Sequence, residues 1–200
     1  MRHTALAAVL LVWLAQPAWA QEEDEGEPDE KPQQETLIKG GIDSGGFGAL
    51  VFRFSGINDQ FALLAGARGG WIINHQFIVG AGFYGLSSQI CVDEDGRCRR
   101  REIEFGYGGL EFEYIGAWDR LIHYSLQLLV GGGGVTLFDV ESDPVFVLEP
   151  VARMEVNITK WFRANIGGGY RYVSGVDVGR LENSDFSAFF GDLQFKFGSF

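Results

Sequence analysis

The chain has 200 residues, a net charge of −11, 29 glycines, and 46% hydrophobic and 14% aromatic residues. No apolar run reaches the ~18 residues that a membrane-spanning helix needs. No basic stripe of the kind that nucleic acid requires is present, and so much glycine and aromatic residue argues for β-structure over helices.

Residues 1–20 read as an export signal. Arg2 gives a positive start, Ala5 to Ala15 is apolar but short, and Ala18-Trp19-Ala20 offers the small-x-small pattern of a cleavage site. Pro17 and the polar run that follows argue against an uncleaved anchor, and the absence of Cys at position 21 argues against lipid attachment. Residues 21–36, QEEDEGEPDEKPQQET, hold acids, prolines and no large apolar residue, so they cannot bury a core. They read as a disordered acidic periplasmic segment: plainly a spacer, alternatively a tether or a chaperone-recognised stretch. Most of the excess charge sits there, and residues 37–200 carry only about −5.

From residue 37 onward the dominant signal is period-two alternation, the mark of strands. Segments 47–56, 61–72 and 76–87 show it with gaps, around Phe52-Arg53-Phe54 and Arg68. Segment 102–115 alternates with an apparent slip in phase: Ile103, Phe105 and Tyr107, then Leu110, Phe112 and Tyr114. The slip falls at Gly108-Gly109 and predicts a β-bulge there. Segment 121–131 sets Ile122, Tyr124, Leu126, Leu128 and Val130 against His123, Ser125 and Gln127. Segment 145–158 sets Phe146, Leu148, Ala152, Met154 and Val156 against Glu149, Arg153 and Glu155. Segment 161–173 sets Phe162, Ala164, Ile166, Tyr170 and Tyr172 against Arg163, Asn165 and Arg171, and the last strand sets Phe189, Leu193, Phe195 and Phe197 against Asp192, Gln194 and Lys196.

Most of these strands run to ten residues or more, whereas strands of a soluble sandwich run to about five or six. A tilted strand that crosses a bilayer needs about nine to eleven. The connections alternate as a membrane barrel requires. Those near 73–75, 117–120 and 159–160 are short, and those at 88–101, 138–144 and 174–186 are longer, polar and predicted to lie outside. The first, 56–60, is short and departs from the pattern. Trp71, Trp118 and Trp161 each sit at or beside a short turn, as an interfacial aromatic girdle would place them.

The fold expected is therefore all-β: a closed up-and-down antiparallel transmembrane barrel of about eight strands over 37–200. In hydrocarbon only a closed sheet satisfies its backbone, and eight strands leave an interior that side chains fill. The polar faces then point inward. They supply Arg53, Arg68, Arg153, Arg163, Arg171 and Lys196, against Glu102, Glu104, Glu111, Glu113, Glu149, Glu155 and Asp192. Buried charge is tolerated when paired, so these residues predict an ion-pair network plugging the lumen; a gated conduit is the other reading. Inward Gly131, Gly133, Gly167 and Gly169 would make room for the long side chains.

On this architecture the chain resembles the small outer-membrane β-barrel proteins, the group that includes the OmpA membrane domain and OmpX. Phrases such as GGFGALVFRF, GARGGWIINH and LIHYSLQLLVGGGG are similar to uncharacterised Gram-negative barrel proteins. The resemblance implies an outer-membrane location, contact with outer-membrane lipid and handling by the barrel-assembly machinery; it assigns no activity. One departure is that Phe200 shares parity with Lys196 and Gln194, not with the apolar Phe197 and Phe195.

Other patterns carry less. Cys91 and Cys98, in CVDEDGRC, predict a disulfide closing a small external loop. The acids between them suggest calcium only faintly. Arg97, Arg99, Arg100 and Arg101 could meet lipopolysaccharide phosphates, but a solvated loop is the better reading. His123-x-Ser125 pairs a base with a hydroxyl, as in barrel enzymes acting on lipid A, but near a periplasmic turn and pointing inward. Gly80 to Gly85 matches GxGxxG with no helix following, and Gly131 to Gly134 lacks the Lys-Ser/Thr of a phosphate loop. No catalytic residue, cofactor or metal ligand is expected. The primary reading is a non-enzymatic barrel for envelope structure or surface interaction. The alternatives are a barrel enzyme modifying envelope lipid and a soluble lipocalin-like carrier.

Overall fold

The computed structural model describes residues 43–90, 92–94, 97–99, 103–137, 141–177 and 181–200. The predicted signal and acidic segment, 1–20 and 21–36, lie outside them, as does Cys91 of the predicted disulfide. Of Cys98, only the backbone pairing opposite Asp93 is described.

Eight long strands close on themselves: β1 (Ser44–Ile57), β2 (Gln60–Ile73), β3 (Phe77–Leu86), β6 (Ile103–Gly116), β7 (Ile122–Leu137), β8 (Glu141–Asn157), β9 (Phe162–Ser174) and β10 (Ala188–Ser199). Each pairs antiparallel with its neighbour in sequence, and β1 with β10 completes the circle. Two short strands, β4 (Val92–Glu94) and β5 (Arg97–Arg99), form a separate ribbon within the third connection. A one-turn helix, α1 (Asn183–Phe186), lies in the seventh.

Alternation is the reason the wall closes in this sense. Along β8, Val145, Val147, Glu149, Val151, Arg153 and Glu155 are buried, while Phe146, Met154 and the other even positions face out. Period two puts one set on each side of the sheet. The turn chemistry fits the hairpins. Asn58 and Asp59 have φ of 49° and 56° between the paired Ile57 and Gln60, the left-handed pair of a two-residue turn. Asn74 and His75 have φ of 50° and 60° at the next.

Three expectations are corrected. First, there is no bulge at Gly108-Gly109: β6 pairs with β3 and β7 in unbroken register through both residues. Gly109 and Gly131 face one another across that pair, and a Cβ on either would come within 2.6 Å of the other's Cα. Glycine is there because the backbones approach closely. The apparent slip in phase is a change in what the interior contains. Ile103, Phe105 and Tyr107 point inward along with Glu111 and Glu113, and Leu110, Phe112 and Tyr114 point out. Glu104 therefore faces outward and is exposed, not inward as expected; Glu102 lies outside the described residues.

Second, the 138–144 connection is not an open loop. β7 and β8 stay paired out to Leu137 opposite Glu141, so the hairpin projects as sheet. Third, the 174–186 connection is not wholly polar and external, because Val176, Leu181 and Phe186 are buried.

One irregularity interrupts the wall. Between β8 and β9 the ladder pairs Leu148 with Tyr172 and Val151 with Gly169, and skips the two positions between. Pro150 lies in that gap and has no N–H to give.

Candidate functional site: a filled lumen inside an apolar wall

Of the thirteen charged residues predicted for the interior, Glu104 faces out and Glu102 lies outside the described residues; the other eleven are buried inside the barrel. Ten of them form ion pairs in three groups. At mid-height Arg53 pairs with Glu149, and Tyr107 Oη donates to the second oxygen of that carboxylate at 2.6 Å. The Arg53 guanidinium also lies over the Tyr84 ring, 3.6 Å from its centre. Arg153 grips Asp192 through Nε and Nη2, the latter at 2.6 Å, and reaches Gln127 with Nη1.

Nearer the turns at Asn74 and Trp118 runs a longer chain. Tyr84 Oη donates to Glu111 at 2.6 Å, Glu111 pairs with Arg68, and Arg68 Nη2 reaches Glu113 at 2.6 Å. Lys196 Nζ then bridges Glu113 at 3.0 Å and Glu155 at 2.7 Å. Arg163 lies 3.8 Å from Glu155. Lys196 stands on β10 and Glu113 on β6, opposite sides of the circle, so this pair ties the wall across its full width. Fork-like, charge-assisted bonds of this kind fix geometry as well as adding energy.

Arg171 is the exception. Among the described residues it forms no ion pair. Its Nε donates to the Phe186 carbonyl at 2.8 Å, and its Nη2 reaches Ser55 Oγ and the Gly56 carbonyl at 3.2 and 3.3 Å. Its charge holds the α1 segment against the β1–β2 hairpin. Spacing could not show this, since two of the three acceptors are backbone carbonyls.

The polar belt is bounded at both ends by apolar packing. On the α1 side, Ile57, Leu64, Ile90, Phe105, Val135 and Phe186 belong to one buried cluster, and the Phe105 and Phe186 rings lie 5.1 Å apart. At the other end Phe47, Ala49, Ile72, Ile78 and Ile115 form a smaller cluster on which Phe200 packs. The Phe200 ring covers the Arg163 guanidinium at 3.9 Å. The parity that seemed out of phase thus turns the last side chain into the mouth of the barrel.

The outer wall is the inverse. Phe83, Leu126, Ile166 and Phe189 are 69, 53, 63 and 80% exposed, and no element among the described residues covers them. Water would penalise so large an apolar surface. Trp71, Trp118 and Trp161 lie at the end of the barrel opposite α1, all three exposed. Trp118 stacks on His75 with ring centres 4.6 Å apart, and Trp161 on Phe197 at 6.1 Å. With charges inside and hydrocarbon-like residues outside, the wall spans a membrane. The lipocalin-like alternative needs the reverse polarity and falls.

This is the fold of the small outer-membrane barrels. The N-terminal β-barrel domain of Pseudomonas aeruginosa OprF superposes with a TM-score of 0.54 at 11% identity, over 78% of this chain and 96% of that one. Neisserial surface protein A superposes with a TM-score of 0.55 at 10% identity, over 80% of this chain and 99% of that one. No protein-family model and no curated sequence matches. At such identity the likeness concerns the fold.

Of the weaker motifs, His123 and Ser125 both face the lumen but do not form a catalytic pair. His123 Nδ1 lies 3.3 Å from the Arg120 carbonyl and Nε2 lies 3.4 Å from Glu155. Ser125 Oγ has no hydrogen-bond partner among the described residues. Gly80 to Gly85 lies within strand β3 and Gly131 to Gly134 within β7, extended backbone rather than a phosphate-binding turn.

Proposed function

We propose that this chain is a non-enzymatic integral outer-membrane protein, an element of envelope structure that presents its outer connections for surface contact and conducts nothing through its centre. One observation carries this reading. The lumen is occupied along its whole length: by the apolar cluster around Phe105 and Phe186, then the ion-pair belt, then Phe47, Ile78 and Phe200. Opening a path would mean removing packed apolar side chains and leaving desolvated charges unpaired, which is costly at both steps. The projecting β7–β8 hairpin and the β4–β5 ribbon, with Arg97 and Arg99, would be the parts that meet partners, lipopolysaccharide phosphates among them. The Cys91–Cys98 disulfide would brace that ribbon, and the barrel-assembly machinery would insert the wall.

The test is a planar lipid bilayer. Refolded protein that migrates as a heat-modifiable band should add no unitary conductance steps at 1 M salt. Regular steps from the same preparation would refute the reading and restore the gated conduit.

A further inference from the structure

The ladder gap at Pro150 opens outward. Around it the wall is indented by a groove of about 640 Å³, lined by Leu126, Pro150, Ala152, Gly168, Tyr170 and Phe189 among others. Its floor is a shelf of small residues. Ala152 pairs with Gly168 across β8 and β9 in that floor, and Gly191, paired with Gly168 across β9 and β10, adjoins it, all on the outer face. Its rim is aromatic: Tyr170 and Phe189 meet edge to face with centres 4.9 Å apart, and Phe189 is the most exposed large apolar side chain among the described residues. Among the described residues, this is where an interrupted ladder, a floor of small residues and an aromatic rim coincide.

We propose that this groove is a slot for one fatty acyl chain of an outer-leaflet lipid. The inference rests on the membrane-spanning reading, and the groove is continuous with the surface that meets lipid. Its height selects the leaflet. Gly168 is seven residues above Trp161 on β9. At about 3.4 Å per residue and a tilt near 40°, that places it about 18 Å above the Trp girdle, within the outer half of an apolar band about 25 Å tall. It is a shallow depression open toward lipid, along which a chain can lie without being enclosed. Its chemistry fits too. The shelf lets a flexible chain lie against backbone, where dispersion contacts are densest, and nothing on the rim selects a headgroup.

The slot can be filled without disturbing the wall. A Cβ at Gly191 would meet only the Gly167 carbonyl oxygen, at 3.9 Å, and one at Gly48, elsewhere on the outer face, would meet nothing within 4 Å. Full-length protein refolded in mild detergent is mixed with hexa-acylated lipid A or with dipalmitoyl phosphatidylethanolamine, and retention is read by native mass spectrometry. Wild type and Gly48→Leu should each keep one lipid of either kind, since the groove reads an acyl chain and not a headgroup. Gly191→Leu and Ala152→Leu should lose it by tenfold or more while remaining heat-modifiable. Two substitutions are used so that one misfolded variant leaves the other decisive. Equal retention by all four proteins overturns the slot, as does retention of lipid A alone, since a headgroup and not an acyl chain would then be what binds. So does a cross-linked dimer that Gly191→Leu dissociates, since a second copy would then be the occupant. Failure of the wild type to insert into vesicles would instead strike the membrane reading beneath it.

Discussion

The two halves of the lumen are closed by different physics. The half under α1 is sealed by apolar packing, with Phe105, Val135, Val147 and Phe186 in contact and Phe186 completely buried. The half toward the Trp girdle is sealed by charge, with Arg68, Glu113, Lys196 and Glu155 in one chain. Apolar packing has no direction and tolerates rearrangement. A buried ion pair has a required geometry, and it is strongly destabilising once one partner goes. The first half is thus a stopper made by a connection that folds inward, and the second is a set of struts joining strands that do not touch. The contrast teaches that filling a barrel and bracing it are separable tasks.

Substitutions can break that contrast, and the struts should fail hardest. Glu113→Ala removes the carboxylate shared by Arg68 and Lys196, leaving both cations under-paired in a dry interior. A loss of about 4 kcal/mol is expected, read as a lower urea midpoint in vesicles; a change below about 1 kcal/mol would mean that water already solvates this half. Phe186→Ala should cost about 3 kcal/mol through the cavity it leaves, with α1 becoming open to protease while the ion-pair half stays protected from hydrogen exchange. If both halves loosen together, they are one cooperative unit after all.

Replacing a whole strut should matter less than cutting it. Arg153→Met with Asp192→Leu substitutes apolar residues of similar volume and is expected to be neutral or to stabilise by roughly 1–2 kcal/mol. A double variant as unstable as Asp192→Ala alone would contradict the view of the belt as a bracing device that can be exchanged. The smallest effect belongs to Phe200. Phe200→Ala removes a cation–π contact and part of the mouth cluster, worth about 1 kcal/mol. It should speed labelling of a cysteine at Ser125 by a water-soluble thiol reagent, and Phe200→Trp should restore protection. Unchanged labelling in the alanine variant would show that the mouth is closed by something else.

How far these features could be read from the chain follows the same division. The wall was legible because alternation in β7 to β10 is enforced on both faces at once: Leu126 beside Gln127, or Met154 beside Arg153 and Glu155, leaves one assignment. The eleven interior charges follow from it directly, because a long polar residue at inward parity has nowhere else to go. The apolar stopper did not announce itself. Ile103, Phe105 and Tyr107 share parity with Glu111 and Glu113, but a pattern reader assigns apolar residues to lipid, so the change of filling looked like a bulge. Phe186 was hidden because a lone aromatic in a polar connection has no period, and its burial depends on Arg171 reaching the backbone of a distant segment. Contacts made to carbonyls leave no mark on composition.

Which face of the wall meets hydrocarbon decides the rest. Nitroxide labels at Leu126, Ile166 and Leu193, in protein refolded into vesicles, test this most directly through their collision rates with oxygen and with a water-soluble nickel chelate. All three should favour oxygen strongly, with the preference decaying toward Trp161. Labels more accessible to the nickel chelate than to oxygen would place the apolar face in water and undo the assignment.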